Sequence, residues 1–121
     1  MEDTVKTNLV TDLAKLLEEH RGTDVLALDL RAVCSWTDYF IITTTSSQTH
    51  VKGILKHIRT FLSSQNLEIL HRQKHVEEEG WILIDCGFTV IHLMNEETRR
   101  FYELEKLWHT GSVIYHSSKS S

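Results

Sequence analysis

The sequence predicts an α/β fold: one domain, a mixed five-stranded sheet flanked by helices. Three observations lead there. The apolar positions switch between a helical period and β-branched runs in the order α-β-β-α-β-β-β-α. A helix separates the second strand from the third, so the chain must cross over and make at least one parallel pairing. Finally, 121 residues with 40% hydrophobic and 25% charged side chains suit a single globular core.

The first helix is predicted over residues 4–20, where Val5, Leu9, Leu13 and Leu16 follow helical spacing and Gly22 supplies a stop. DVLALDLR (24–31) alternates weakly and is predicted as a strand. DYFIITTT (38–45), aromatic and β-branched, is predicted as a central strand. Ser46 or Ser47 caps the next helix, whose Val51, Ile54, Leu55, Ile58, Phe61 and Leu62 keep the 3.6 period up to about Asn66. NLEILHR (66–72) is a third strand, and QKHVEEEG (73–80) a charged loop. WILID and TVIHLM form a hairpin, and NEETRRFYELEKLW (95–108) is a last helix with Asn95 as N-cap and Glu96 and Glu97 on its positive end. The domain is placed at 1–110, with a flexible tail at 111–121.

A formal net charge of −4 argues against a broad nucleic-acid footprint, which needs a basic face. Two isolated cysteines, Cys34 and Cys86, define no disulfide or zinc framework and fit a reduced, cytosolic setting. MEDTVKTNLV lacks the apolar core of a signal peptide, and no apolar run is long enough to span a membrane.

The most chemically loaded stretch is GWILIDCGFTVIHLM (80–94), which buries Asp85 and His92 in an apolar run. A two-residue turn at Cys86 and Gly87 sets Asp85 opposite Phe88, Leu83 opposite Val90 and Trp81 opposite His92. Asp85 and His92 then sit about seven residues of strand apart, at about 3.3 Å per residue, too far for a catalytic dyad. His92 is either a partly buried histidine under Trp81 or part of a binding face. Asp85 either bonds its own turn or takes part in binding.

Other candidates carry less. His50 and His57 are two turns apart rather than the four residues that helical metal ligands favour, and His71 and His75 straddle a strand end. TTTSSQ (43–48) enters a helix and offers amides and hydroxyls to a phosphate, but it lacks the glycines and lysine of a P-loop. Lys52, Lys56 and Arg59 make a basic stripe best explained as a solvated face. Asp29 and Asp38 lack the flanking pattern of a two-metal phosphoryl-transfer site. More unusual is the aromatic content at polar positions: Trp36, Tyr39, Trp81, Phe101, Tyr102 and Trp108. Tyr and Trp at a surface favour protein interfaces.

SWTDYF (35–40) and WILIDCG…VIHL…RRFYELEKLW (81–108) resemble the signature of the Iojap family, the bacterial ribosomal silencing factors RsfS. The resemblance runs in order over about residues 4–110. It implies a fold similar to the nucleotidyltransferase superfold without that superfold's catalytic residues. It also implies binding to large-subunit ribosomal protein fourteen on the intersubunit face, which blocks joining of the small subunit and represses translation under starvation or stationary phase. A bacterial cytoplasmic location and a homodimer in the free state follow as expectations, with no cofactor, no metal, no membrane and no strong direct nucleic-acid binding. Trp81, Asp85, Tyr102, Glu105, Asp38 and Tyr39 are the expected partner-binding residues, with Trp81 as anchor. Gly87, His92, Leu104 and Trp108 are expected as structural support. Thr45, Cys86 and Phe88 depart from the family pattern, which has Gly, Tyr and Asp there. The alternative function is a nucleotidyltransferase-like enzyme acting on nucleotide or RNA, which would depend on Asp29 or Asp38. An RNA-binding module is a third, weakened by the missing basic face.

Overall fold

A computed structural model describes residues 3–35, 37–74, 80–102, 106 and 111–117. In chain order the elements are α1 (Asp3–Glu19), β1 (Thr23–Asp29), β2 (Tyr39–Thr44), α2 (Gln48–Ser64), β3 (His71–Lys74), β4 (Trp81–Asp85), β5 (Val90–Met94), α3 (Glu96–Tyr102) and β6 (Ser112–His116). They form one six-stranded sheet in the order β3-β4-β5-β2-β1-β6. β2 and β5 run parallel, and the other neighbouring pairs are antiparallel. The predicted mixed sheet is therefore present, and its parallel pairing joins β2 to β5, with α2, β3 and β4 making up the crossover.

Each helix follows from its residues. Ser47 is extended and accepts a hydrogen bond from the His50 amide at 3.0 Å, which fixes the start of α2. Ile54, Leu55, Ile58 and Leu62 then recur on the inward face. In α1 the buried stripe is Leu9, Val10, Leu13, Ala14 and Leu17, while Val5 is exposed. The stripe lies one step round from the predicted line because a 3.6 period drifts against a strict four-residue spacing. The chain leaves α1 through Arg21 at φ 72, and Gly22 donates to the Leu17 carbonyl at 2.7 Å. Gly22 thus takes part in the predicted stop, and it has a second purpose: a β-carbon there would meet Thr43 Oγ1 at 2.5 Å, so the residue permits close approach to β2.

One face of the sheet buries Val25, Ala27, Tyr39, Ile41, Ile84, Ile91 and Leu93 against α1 and α2. Fully burying each aliphatic side chain is worth about 1.5–3 kcal/mol. The opposite face carries a smaller cluster of Leu26, Leu28, Leu30, Phe40 and Val90.

The predicted tail is corrected. Residues 112–116 are β6, paired antiparallel with β1, so five predicted strands are joined by a sixth. Ser117 locks the end: its amide donates to the Val25 carbonyl at 2.9 Å and its Oγ accepts from the Val25 amide at 2.9 Å. His116 reaches Asp24 Oδ1 at 2.9 Å, and the Tyr115 hydroxyl donates to Glu18. The third strand also lies later than predicted, at His71–Lys74.

Candidate partner-binding face

The β4–β5 hairpin pairs Asp85 with Val90, Leu83 with His92 and Trp81 with Met94. This corrects the predicted register by two residues. The loop is Cys86–Thr89, closed by a Cys86 amide to Thr89 carbonyl bond at 2.9 Å. Two inward pulls lengthen it: Phe88 is buried in the helix-side core, and the buried Thr89 hydroxyl donates to the Tyr39 carbonyl at 3.1 Å. A two-residue shift preserves parity, so Trp81, Leu83 and Asp85 still share a face with Val90 and His92.

Asp85 is half-buried, and its Oδ1 accepts from the Gly87 amide at 2.8 Å. This is a local turn bond of the kind Asp favours. Gly87 sits at φ 87, a left-handed conformation that makes it the natural residue at this turn. His92 is opposite Leu83, nearer to Asp85 than predicted, yet it turns to Trp81. The Trp81 indole Nε1–H donates to His92 Nδ1 at 3.1 Å, and Phe40 meets the imidazole edge-on at 4.7 Å. Asp85 and His92 are each committed to a different neighbour and form no dyad.

Burial pushes the His92 imidazole down to about 4 from 6.5. With Nδ1 accepting, the neutral ring carries its proton on Nε2, which has no hydrogen-bond partner among the described residues. The folded chain resists protonation while the unfolded chain takes it up, so this contribution to stability is present above pH 6.5 and lost as pH falls toward about 4. The loss is expected to be about 3 kcal/mol. Urea unfolding of the protein and of His92→Gln across that range checks it. A stability gap between the two that ignores pH would contradict a buried neutral imidazole.

Trp81 is therefore a half-exposed indole braced from beneath, placed on the same strand face as Leu83 and Asp85. Asp38 pairs with Lys6 of α1 at 3.3 Å, and the two line a cavity that the hairpin turn reaches through Gly87 and Phe88. Tyr39, expected at the partner surface, is fully buried, with its hydroxyl 3.1 Å from Thr7 Oγ1. It supports the fold instead, because β2 is central and both of its faces are covered. Tyr102 closes α3, and its side chain falls outside what the structure describes, as do Leu104, Glu105 and Trp108. Phe101 is 75% exposed. The departures Cys86 and Phe88 are buried in the helix-side core, so the turn presents Gly87 rather than either of them. Burial pushes the Cys86 thiol up to about 12, which makes it unreactive.

The acidic pair imagined for phosphoryl transfer is separately occupied. Asp29 is gripped by Arg31 at 2.6 Å, which holds its carboxyl below the usual range, and Asp38 is held by Lys6. His50 is likewise engaged: Nδ1 accepts from the Ser46 amide at 3.0 Å and Nε2 donates to the His20 carbonyl at 2.8 Å. His57 stacks on His20 at 3.6 Å, a contact that the spacing of His50 and His57 gave no hint of. No group of three or more His, Cys, Asp or Glu among the described residues could hold a metal ion.

A family model described as "Ribosomal silencing factor during starvation" matches residues 3–121. The chain belongs to that family. A ribosomal silencing factor RsfS of Haemophilus influenzae is 32% identical over 100 residues, covering 83% of this chain and 97% of its own. The Bacillus subtilis RsfS is 30% identical over 95 residues, covering 78% of this chain and 80% of its own. A mouse protein named for mitochondrial assembly of the ribosomal large subunit is 32% identical over 101 residues, which span 43% of that protein. The fold agrees with a crystal structure of a Chromobacterium violaceum protein, with TM-score 0.73 at 26% identity over 100% of this chain and 97% of that one. The family match extends through residues 112–116, where this chain forms β6. Among the described residues no helix is long and apolar enough to cross a membrane.

Proposed function

We propose that this family member docks on the large ribosomal subunit through large-subunit ribosomal protein fourteen and blocks association of the small subunit. Translation is thereby repressed under starvation or stationary phase, in the bacterial cytoplasm. The action is occupancy of a surface rather than catalysis, with no cofactor. A homodimer of the free protein is part of the same reading.

The observation that carries it is the braced Trp81. An indole left half-exposed yet held by His92 loses little rotamer freedom on binding, which is what an interface anchor needs. Asp85 stands at the end of the same strand as an accepting group, and Tyr102 and Glu105 are proposed to extend the contact from α3 and beyond it. The relatives' names support a ribosomal setting, and a net charge of −4 favours steering toward a basic protein. Against the nucleotidyltransferase alternative, Asp29 and Asp38 are each neutralised by a different cation.

Co-sedimentation with isolated subunits tests the reading. The protein is expected to travel with large subunits and not with small ones. Equal partition between the two, or recovery from both pellets at low salt of nothing above background, would overturn it.

A further inference from the structure

A second site lies on the opposite face of the sheet from Trp81. It is a cleft of about 420 Å³ lined by Thr45, Ser46, Ser47, Gln48, Lys52 and Asn95, with Val51, Leu55, Ile82 and Leu93 beneath. Its volume is within the range of small-molecule pockets. Its position follows from topology: β2 and β5 are parallel neighbours ending at Thr44 and Met94, and the chain past both ends forms the rim. A crevice at the carboxyl ends of parallel strands is where open α/β sheets hold ligands.

The polar groups sort into used and unused. Ser47 caps α2, and the Ser46 amide and hydroxyl both turn to His50 Nδ1. The amides of Gln48 and Thr49 open the seventeen-residue helix α2 and have no partner among the described residues. Lys52, one turn into α2 and exposed, makes no ion pair among the described residues. Thr45 is the decisive group. It is 5% exposed and lines the cleft, and its hydroxyl makes no hydrogen bond to a described residue. The residue is packed in place while its hydroxyl opens into the cleft, so that group is held ready to bond whatever occupies it.

We propose that this cleft binds a nucleoside monophosphate. The phosphate sits on the Gln48 and Thr49 amides at the positive end of α2, with Lys52 as counter-ion. One lysine and two amides match one phosphate monoester, which carries about −1.5 to −2 charge at pH 7. Thr45 donates to the phosphate or the ribose, and the base lies over the aliphatic floor. Gln48, Val51, Lys52 and Leu55 recur at helical spacing, so one helix face offers both the charge and the apolar contact.

An amide NMR titration of the full chain with AMP, GMP, adenosine and inorganic phosphate tests this. Either monophosphate is expected to give saturable shifts over residues 45–52 and at Gly80. Adenosine is expected to bind about tenfold more weakly or worse, and inorganic phosphate to move the Gln48 and Thr49 amides alone. Lys52→Glu should weaken the monophosphate about tenfold or more while thermal unfolding is unchanged, because the side chain is exposed. Thr45→Val, which keeps shape and removes the hydroxyl, should weaken it too. Absence of saturable shifts with both monophosphates, shifts centred away from the cleft, or affinity indifferent to Lys52→Glu would each overturn the proposal.

Discussion

Replacing Arg99 by Leu is expected to destabilise the protein by about 3 kcal/mol or more, with a fall in Tm of about 10 °C or more. Arg99 is 4% exposed and ties α3 to the starts and ends of two strands. Its Nη1 donates to the Asp24 carbonyl at 2.7 Å, to Thr44 Oγ1 at 3.0 Å and to the Thr23 carbonyl at 3.5 Å. Nη2 lies 3.8 Å from Asp24 Oδ2. Leucine matches the aliphatic stem but takes the donor from the part-buried Asp24 carbonyl and Thr44 hydroxyl, at about 1–3 kcal/mol for each group left unsatisfied, while the Thr23 carbonyl keeps its bond from Thr43 Oγ1. Asp24, held at φ 51, also loses its guanidinium partner. Arg99→Lys should recover part of the loss, since one ammonium can replace some of the donors but not the planar fork. Urea unfolding of the three proteins measures this, and a loss under about 1 kcal/mol for the leucine variant would contradict the buried network.

The same residue shows where sequence reading stops. Arg99 and Arg100 are neighbours in a charged helix and look alike in the sequence. Arg100 pairs with Glu96 at 2.5 Å in solvent, whereas its neighbour enters the core. Helical phase separates them by about 100°, but which direction is inward depends on where β1 and β2 end. β6 was hidden for a related reason. Its partner β1 lies some ninety residues earlier, as in the Ala27–Tyr115 pairing, and nothing local in SVIYH announces a neighbour. The hairpin was half legible. Alternation assigned its faces, because that depends on parity alone, while the loop length depended on Thr89 finding Tyr39 across the core. The strand face carrying Trp81 and Asp85 was readable for the same reason that Tyr39 was misplaced. Alternation tells which residues share a face and says nothing about what covers it. The cleft above β2 and β5 needed the strand order, since Thr45 and Asn95 are fifty residues apart in the chain and meet only because β2 and β5 are neighbours.

Trp81→Ala is expected to weaken binding to the large subunit by about 2 kcal/mol or more, roughly thirtyfold in Kd. Truncation removes the apolar contact of the indole and also frees His92, whose Nδ1 loses its donor. Trp81→Phe separates the two effects. It keeps a ring on the strand face and deletes the Nε1–H, so it should fall between the wild type and the alanine variant. Asp85→Ala should add to the loss, with part of its effect coming through the turn, because Asp85 Oδ1 holds the Gly87 amide. Asp85→Asn keeps an acceptor for that amide and removes the charge, so it reports the electrostatic share of docking. Titration of fluorescently labelled protein with large subunits gives these affinities. Unchanged affinity for Trp81→Ala would move the interface away from β4.

Subunit joining is the measurement that tests the central claim most directly. Large subunits incubated with the protein and then mixed with small subunits can be followed by light scattering as joined ribosomes form. The wild-type protein is expected to suppress joining as it saturates the large subunit, and the Trp81→Ala, Asp85→Ala double variant to let joining proceed at the same concentration. Joining that continues at saturating wild-type protein, or that is suppressed equally by the double variant, would contradict silencing by occupation of the intersubunit face through this strand.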